Sequence, residues 1–196
     1  MVSVLISIVS LLLSLTVAWL TLFRRGKLAM TRPVLLGFLY EGEQPKIFFR
    51  AMLYATGKRG HILETLYLKV RRDVTTQTFN FWMYGETKDL KVGSGLRAGE
   101  DGGSFNHHFL PPKDETSFRF LPGEYAVSIY ARTVNSKKPL LLCSLCLYLS
   151  ESHAETLQKK NHWAVCSPKS QTREPIVAHL TGAKSQQPLF FHRLIC

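Results

Sequence analysis

Phe118-Arg119-Phe120-Leu121-Pro122-Gly123-Glu124-Tyr125-Ala126-Val127-Ser128-Ile129-Tyr130-Ala131 is the stretch that decides the fold class. Phe118 and Phe120 alternate with polar or turn-side neighbours, and Pro122-Gly123 breaks the run. Tyr125, Val127, Ile129 and Ala131 then recur at period two, the spacing that puts side chains on one face of a strand. The stretch therefore predicts strand, corner and strand, with both aromatic and aliphatic sets aimed at one core.

Outward from this corner, the chain between Pro33 and Ser150 divides into eight strand-like runs: 33–41, 46–55, 62–71, 76–84, 104–110, 116–121, 124–133 and 139–150. They are rich in Phe, Tyr, Val, Ile and Leu. Between them stand 42–45, 57–60, the glycine-rich 85–103, Pro111-Pro112, Pro122-Gly123 and 135–139, all turn-forming compositions. No helical period of useful length intervenes before residue 151, so crossover helices are missing and an all-β, antiparallel sandwich of seven or eight strands is expected.

The 118–131 stretch resembles the E–F corner of fibronectin type III and related immunoglobulin-like sandwiches, with the Leu and Pro adjacent. The resemblance implies that Pro122 and Gly123 turn the chain and that the Tyr125 hydroxyl bonds back to backbone near the corner. It also implies that strands A, B, C, C′, D, E, F and G follow the eight runs in order. It transfers architecture and no activity. The layout over residues 1–150 further resembles a group of functionally uncharacterised bacterial single-pass proteins with one β-rich domain. The stretches that carry this likeness are 21–25, 56–60, Gly93-Ser94-Gly95-Leu96 and Asn106-His107-His108-Phe109.

Residues 1–23 hold no charged side chain, whereas the remainder holds all 25 Lys/Arg and 14 Asp/Glu of the 196-residue chain. As a helix, 2–23 would extend about 33 Å, enough for a hydrocarbon core of roughly 30 Å. Trp19 stands near its basic end, where an indole favours the interface. A cleaved signal peptide with Thr16-Val17-Ala18 as its cleavage site is the competing reading. Against it, no Lys or Arg precedes the apolar run, which is long for a signal sequence. Arg24, Arg25, Lys27 and Arg32 follow the span closely, which predicts an outside N-terminus and a cytoplasmic domain at the plasma (inner) membrane. The basic segment also suits anionic head groups. The expected organisation is a span over 1–23, a basic juxtamembrane segment over 24–32, the sandwich over 33–150 and a mostly irregular tail over 151–196. Within the tail, Ser150 caps a short helix to about residue 160, with Ala154 and Leu157 on one face. The closing 189–195 is apolar enough to dock on the domain, the membrane or a partner.

The net charge of +11 is spread along the chain without a dense basic run. Lys58-Arg59 and Arg71-Arg72 sit at strand ends and read as solvated turn charges, so no nucleic-acid partner is expected. His107 and His108 are strand neighbours, hence on opposite faces, and cannot converge on one metal. Cys143-x-x-Cys146 lies in an apolar strand, not at a helix N-terminus, so Cys143 joins Leu141, Leu145, Leu147 and Leu149 as a structural residue. Cys196 lacks the context for prenylation. The stretch 93–103 matches no phosphate-cradle motif and reads as a long mobile loop. Glu100-Asp101 and Asp114-Glu115 fall in turns, and no nucleophile elbow or zinc-protease motif occurs. No catalytic, cofactor-binding or metal-binding residue is assigned.

Phe79, Phe81 and Met83 alternate with Asn80, Trp82 and Tyr84, which leaves Trp82 and Tyr84 on an outward face. With Arg97 of the glycine-rich loop they form the candidate partner surface. The expected function is a membrane-anchored interaction module that meets a protein partner at the cytoplasmic face. The alternatives are an outward-facing cell-envelope protein that binds a ligand, and an enzyme with a site beneath the 85–103 loop.

Overall fold

The computed structural model describes residues 2–23, 26–85, 89–93, 95–112, 118–136, 138–158 and 163–166. Arg24, Arg25, Cys196 and the apolar 189–195 lie outside them. Helix α1 runs Val2–Ala18 and continues as a wider i→i+5 turn over Trp19–Phe23. It is the one helix among the described residues long and apolar enough to cross a membrane, and none of it is buried against protein.

The strands are β1 (Leu28–Met30), β2 (Leu36–Glu41), β3 (Gln44–Ala55), β4 (His61–Arg72), β5 (Thr75–Gly85), β6 (Lys91–Val92), β7 (Arg97–Ala98), β8 (Gly103–Leu110), β9 (Gly123–Thr133), β10 (Leu140–Leu149) and β11 (Trp163–Cys166), with helix α2 (Glu151–Gln158) before the last. All pair antiparallel in the order β10-β9-β4-β5-β8-β3-β2-β11, with β1 on β3, β6 on β5 and β7 on β4. The sheet curls until β1 and β11 approach β10, so it is nearly closed around one core. That core is the period-two set of every long strand: Ile47, Phe49 and Leu53 of β3, Leu66, Leu68 and Val70 of β4, and Val127, Ile129 and Ala131 of β9.

The corner forms as the sequence predicts on its β9 side. Tyr125 is buried, and its hydroxyl donates to the Leu121 carbonyl at 2.6 Å while accepting from the Leu121 amide at 2.8 Å. Of the expected strand over 116–121, residues 116–117 lie outside the described residues, and residues 118–121 pair with no strand. Tyrosine hydroxyls take over their backbone bonding, since the Phe120 amide donates to Tyr40 Oη at 2.8 Å. Phe120 still reaches the core, 4.7 Å from the Phe38 ring centroid, and Phe118 packs edge-on to Phe79.

Three further differences have local causes. Strand β1 lies inside the basic segment, where Leu28 and Met30 are buried opposite Ala55 and Leu53. The glycine-rich loop is laced to the sheet: the Leu63 amide donates to Leu96 O and the Ala55 amide to Gly99 O, both at 2.8 Å, burying Leu96 and Ala98. The tail contributes β11, whose Ala164 and Cys166 are buried against β2. Ahead of it, α2 forms as expected, with Ala154 and Leu157 inward and Ser150 Oγ accepting from the His153 amide.

Candidate functional site

Strands β5, β4, β9 and β10 turn their alternate residues away from the core, and this outer face carries an open set of polar and aromatic groups. Tyr67 stands opposite Tyr130 in the β4–β9 register. Their rings stack with centroids 5.3 Å apart and planes 11° from parallel, as a directly opposed antiparallel pair allows. Lys69 Nζ lies 5.6 Å from the Tyr130 ring centroid, so the ammonium caps the pair. Arg132 Nε meets Glu64 Oε2 at 3.3 Å where the register slips between Leu63 and Thr65. Ser128 and Ser144 link β9 to β10 through their hydroxyls at 3.2 Å.

Beside the tyrosine pair runs an open groove of about 300 Å³ lined by Tyr67, Thr78, Asn80, Arg132 and Pro139. It offers amide, hydroxyl and guanidinium donors next to an aromatic wall, a chemistry suited to binding a polar, extended segment. Sequence reasoning missed it because its residues come from three separate strands. The available signal was the outward register of Tyr67 and Tyr130, which needs the β4–β9 pairing to be known.

The residues expected to form the partner surface are engaged separately. Trp82 is half-buried under the Lys46 ammonium, 4.4 Å from its ring, and Lys46 in turn meets Glu41 Oε2 at 3.2 Å. Burial pushes the Lys46 ammonium down, and Glu41 partly restores it. The expected alternation fails at Trp82. The β5–β8 register shifts between Phe81 and Met83, so Met83 pairs with His108 and Tyr84 with His107. Tyr84 therefore packs inward on Phe81 and Phe105 instead of sharing Trp82's face. Arg97 is exposed on β7 across from Ile62. Trp19 is exposed near the end of the apolar helix, and Lys27 is exposed where the chain joins the sheet.

His107 and His108 take opposite faces as their spacing requires. His107 is fully buried among Phe49, Phe81 and Phe105, with Nε2 at 3.3 Å from Ala51 O, while His108 stacks on Phe48 at 5.7 Å. Burial holds both imidazoles down to about 4, with Lys46 adding to the effect at His108. Among the described residues no three His, Cys, Asp or Glu side chains group as a metal site. On β10 a register shift between Leu141 and Cys143 turns Leu141 out to 51% exposure, correcting its expected core position, while Leu145, Leu147 and Leu149 stay inside. Cys143 is half-buried, and burial raises its thiol. Beneath the glycine-rich loop, Leu63, Leu66, Phe81 and Leu96 line a space of about 10 Å³, room for one water molecule. Compared with protein-family models, with curated proteins and with solved structures, the chain shows no match.

Proposed function

We propose that this chain is a single-pass membrane protein whose immunoglobulin-like β-sandwich recruits a protein partner at the cytoplasmic face of the plasma (inner) membrane. The strand order supports the sandwich reading. Because residues 118–121 form no strand, β8 takes the place of E and not of D as expected for 104–110. With β2, β3, β4, β5, β8, β9 and β10 taken as A, B, C, C′, E, F and G, the neighbours A-B-E and C′-C-F-G are those of that fold, and C′ bridges to E. The Tyr125 corner between E and F supports it further. The orientation rests on Arg24, Arg25, Lys27 and Arg32 directly after the apolar helix.

The single observation that carries the recruiting role is the open Tyr67–Tyr130 face with its polar groove. Stacked tyrosines flanked by cations, in an otherwise hydroxyl-rich surface, resemble the anchors of protein interfaces more than a solvated sheet face. An anchor would raise the local concentration of such a module for partners at the same membrane.

Two readouts test this reading in cells. With the four native cysteines replaced, a cysteine at Val74, which is 98% exposed, should resist a membrane-impermeant thiol reagent until lysis. A photo-crosslinking residue at Asn80 should give a discrete adduct that Tyr67→Ala and Tyr130→Ala remove, whereas one at exposed Val34 should give none. Labelling of intact cells would overturn the cytoplasmic placement and favour an outward-facing binding protein. Equal adducts at Asn80 and Val34 would overturn the groove.

A further inference from the structure

The apolar helix and the sheet are joined by a very short connection, and the structure shows where it lands. Gly26 is only three residues beyond Phe23, so the end of the helix lies within about 10 Å of it by chain length alone. The Gly26 carbonyl lies 2.7 Å from His61 Nε2. The Lys27 amide donates to Thr56 Oγ1 at 2.7 Å, and the Thr56 amide donates back to Lys27 O at 2.9 Å. A Cβ on Gly26 would collide with the backbone of Thr56 and Gly57, so glycine lets the two segments touch. The start of the domain at Gly26 and Lys27 is thus clamped to the β3–β4 turn.

The surface around that clamp has a definite chemistry. Lys58 and Arg59 are exposed in the turn, Lys27 is exposed beside it, and Arg97 is exposed on the strand that pairs with His61 and Ile62. The Val134 amide donates to Ile62 O at 3.0 Å, which brings the β9–β10 turn with exposed Lys138 to the same end. Among the described residues of this end, these five cations stand with Glu100 and Asp101, in the loop that the Ala55–Gly99 bond holds nearby, and with Glu64, which is already paired with Arg132. Among the cations stand two exposed aliphatic side chains, Ile62 at 49% and Val134 at 63%. The head-group layer is roughly 5–8 Å deep on each side of the hydrocarbon, so the long lysine and arginine side chains of a turn clamped at Gly26, itself within about 10 Å of the helix exit, can span the distance to it.

We propose that this end of the domain docks on the head-group layer of the membrane that holds the helix, with Lys58, Arg59 and Arg97 meeting anionic lipid phosphates and Ile62 and Val134 entering between head groups. The proposal rests on the anchor reading of the apolar helix and goes beyond the partner-recruiting groove, whose Arg132 and Pro139 adjoin this end while Tyr67, Thr78 and Asn80 lie farther along the strands. A lysine or arginine near an anionic surface contributes enough to change the docked-to-undocked ratio about fivefold. Two cations lost therefore change it by a factor on the order of 25. Docking fixes the tilt of the sheet relative to the bilayer.

The test uses the full chain, with its native cysteines replaced, in lipid nanodiscs whose two leaflets are equivalent. An environment-sensitive fluorophore is placed in turn on cysteines at Val134, Ile62 and Val74, and quenching by head-group nitroxide lipid is measured. In discs of phosphatidylcholine with one-third phosphatidylglycerol, the Val134 and Ile62 probes should be quenched several-fold more than the Val74 probe at the far end. The excess should fall in pure phosphatidylcholine discs, and also in Lys58→Glu/Arg59→Glu or the milder Lys58→Gln/Arg59→Gln. Equal quenching at Val134 and Val74, or an excess indifferent to lipid charge and to both variants, would overturn the proposal. Co-elution of the chain with the discs reads the anchor separately, so loss of docking and loss of anchoring are distinct results.

Discussion

The Tyr125 hydroxyl and the Tyr40 hydroxyl between them hold a segment that has no strand partner, through three bonds of 2.6–2.8 Å to Leu121 and Phe120. Removing the first hydroxyl loses two part-buried hydrogen bonds to Leu121, at about 0.5–1.5 kcal/mol each. Tyr125→Phe should therefore lower the unfolding free energy by that amount, read as a lower urea midpoint with an unchanged slope, and Tyr40→Phe, which loses one bond, should lower it less. A midpoint for Tyr125→Phe equal to the parent's would contradict the corner's structural role. His107 gives a pH dependence at the same scale. Its folded-state value is held down to about 4 by burial, against 6.5 when unfolded. The unfolded chain thus takes up the proton first as pH falls. The stability is intact above about 6.5 and is lost through the interval down to about 4, amounting to about 3 kcal/mol at roughly 1.4 kcal/mol per pKa unit. His107→Leu should remove about half of the loss in thermal melts between pH 7 and 4.5, with His108, also held down to about 4, accounting for a comparable share. Parallel loss of stability in parent and variant would remove His107 from that account.

Among the elements, the ones readable in sequence were those whose pattern is local. Seven of the eight expected runs became strands because period-two apolar spacing is written within each of them, as in Tyr125, Val127, Ile129 and Ala131. The run at 116–121 has the same spacing, but its backbone is claimed by Tyr40, eighty positions earlier, which no local pattern reveals. Trp82 and Tyr84 were assigned one face by strict alternation, and a single register shift against β8 separates them. Strand β11 was invisible because four residues carry no period, and its partner β2 lies more than a hundred positions upstream. That pairing can be probed directly. Ala164 is buried, and a carboxylate there would cost more than four residues of ladder return. Ala164→Glu should detach β11 and speed amide exchange at Leu36–Leu39 at least tenfold while leaving β4 and β9 protected. Unchanged exchange along β2 would mean that β11 contributes little to that edge.

At the scale of the whole molecule, the candidate surface was the least legible part, because Tyr67, Asn80 and Arg132 meet only once three strands are laid in register. The apolar helix and the basic residues after it were legible at once, since length and charge need no partner. What the sequence could not express is how tightly helix and sheet are coupled, because that depends on Thr56 and His61 returning to Gly26 and Lys27. The coupling has a mechanical side. Strand β1 leads away from the helix exit and runs antiparallel to β3, with Leu28 beside Ala55 and Met30 beside Leu53. Tension between the bilayer and a load held on the far side of the domain would pull β1 along its own axis. Its ladder to β3 would then be strained in shear, all its bonds sharing the force at once, instead of being peeled open one bond at a time.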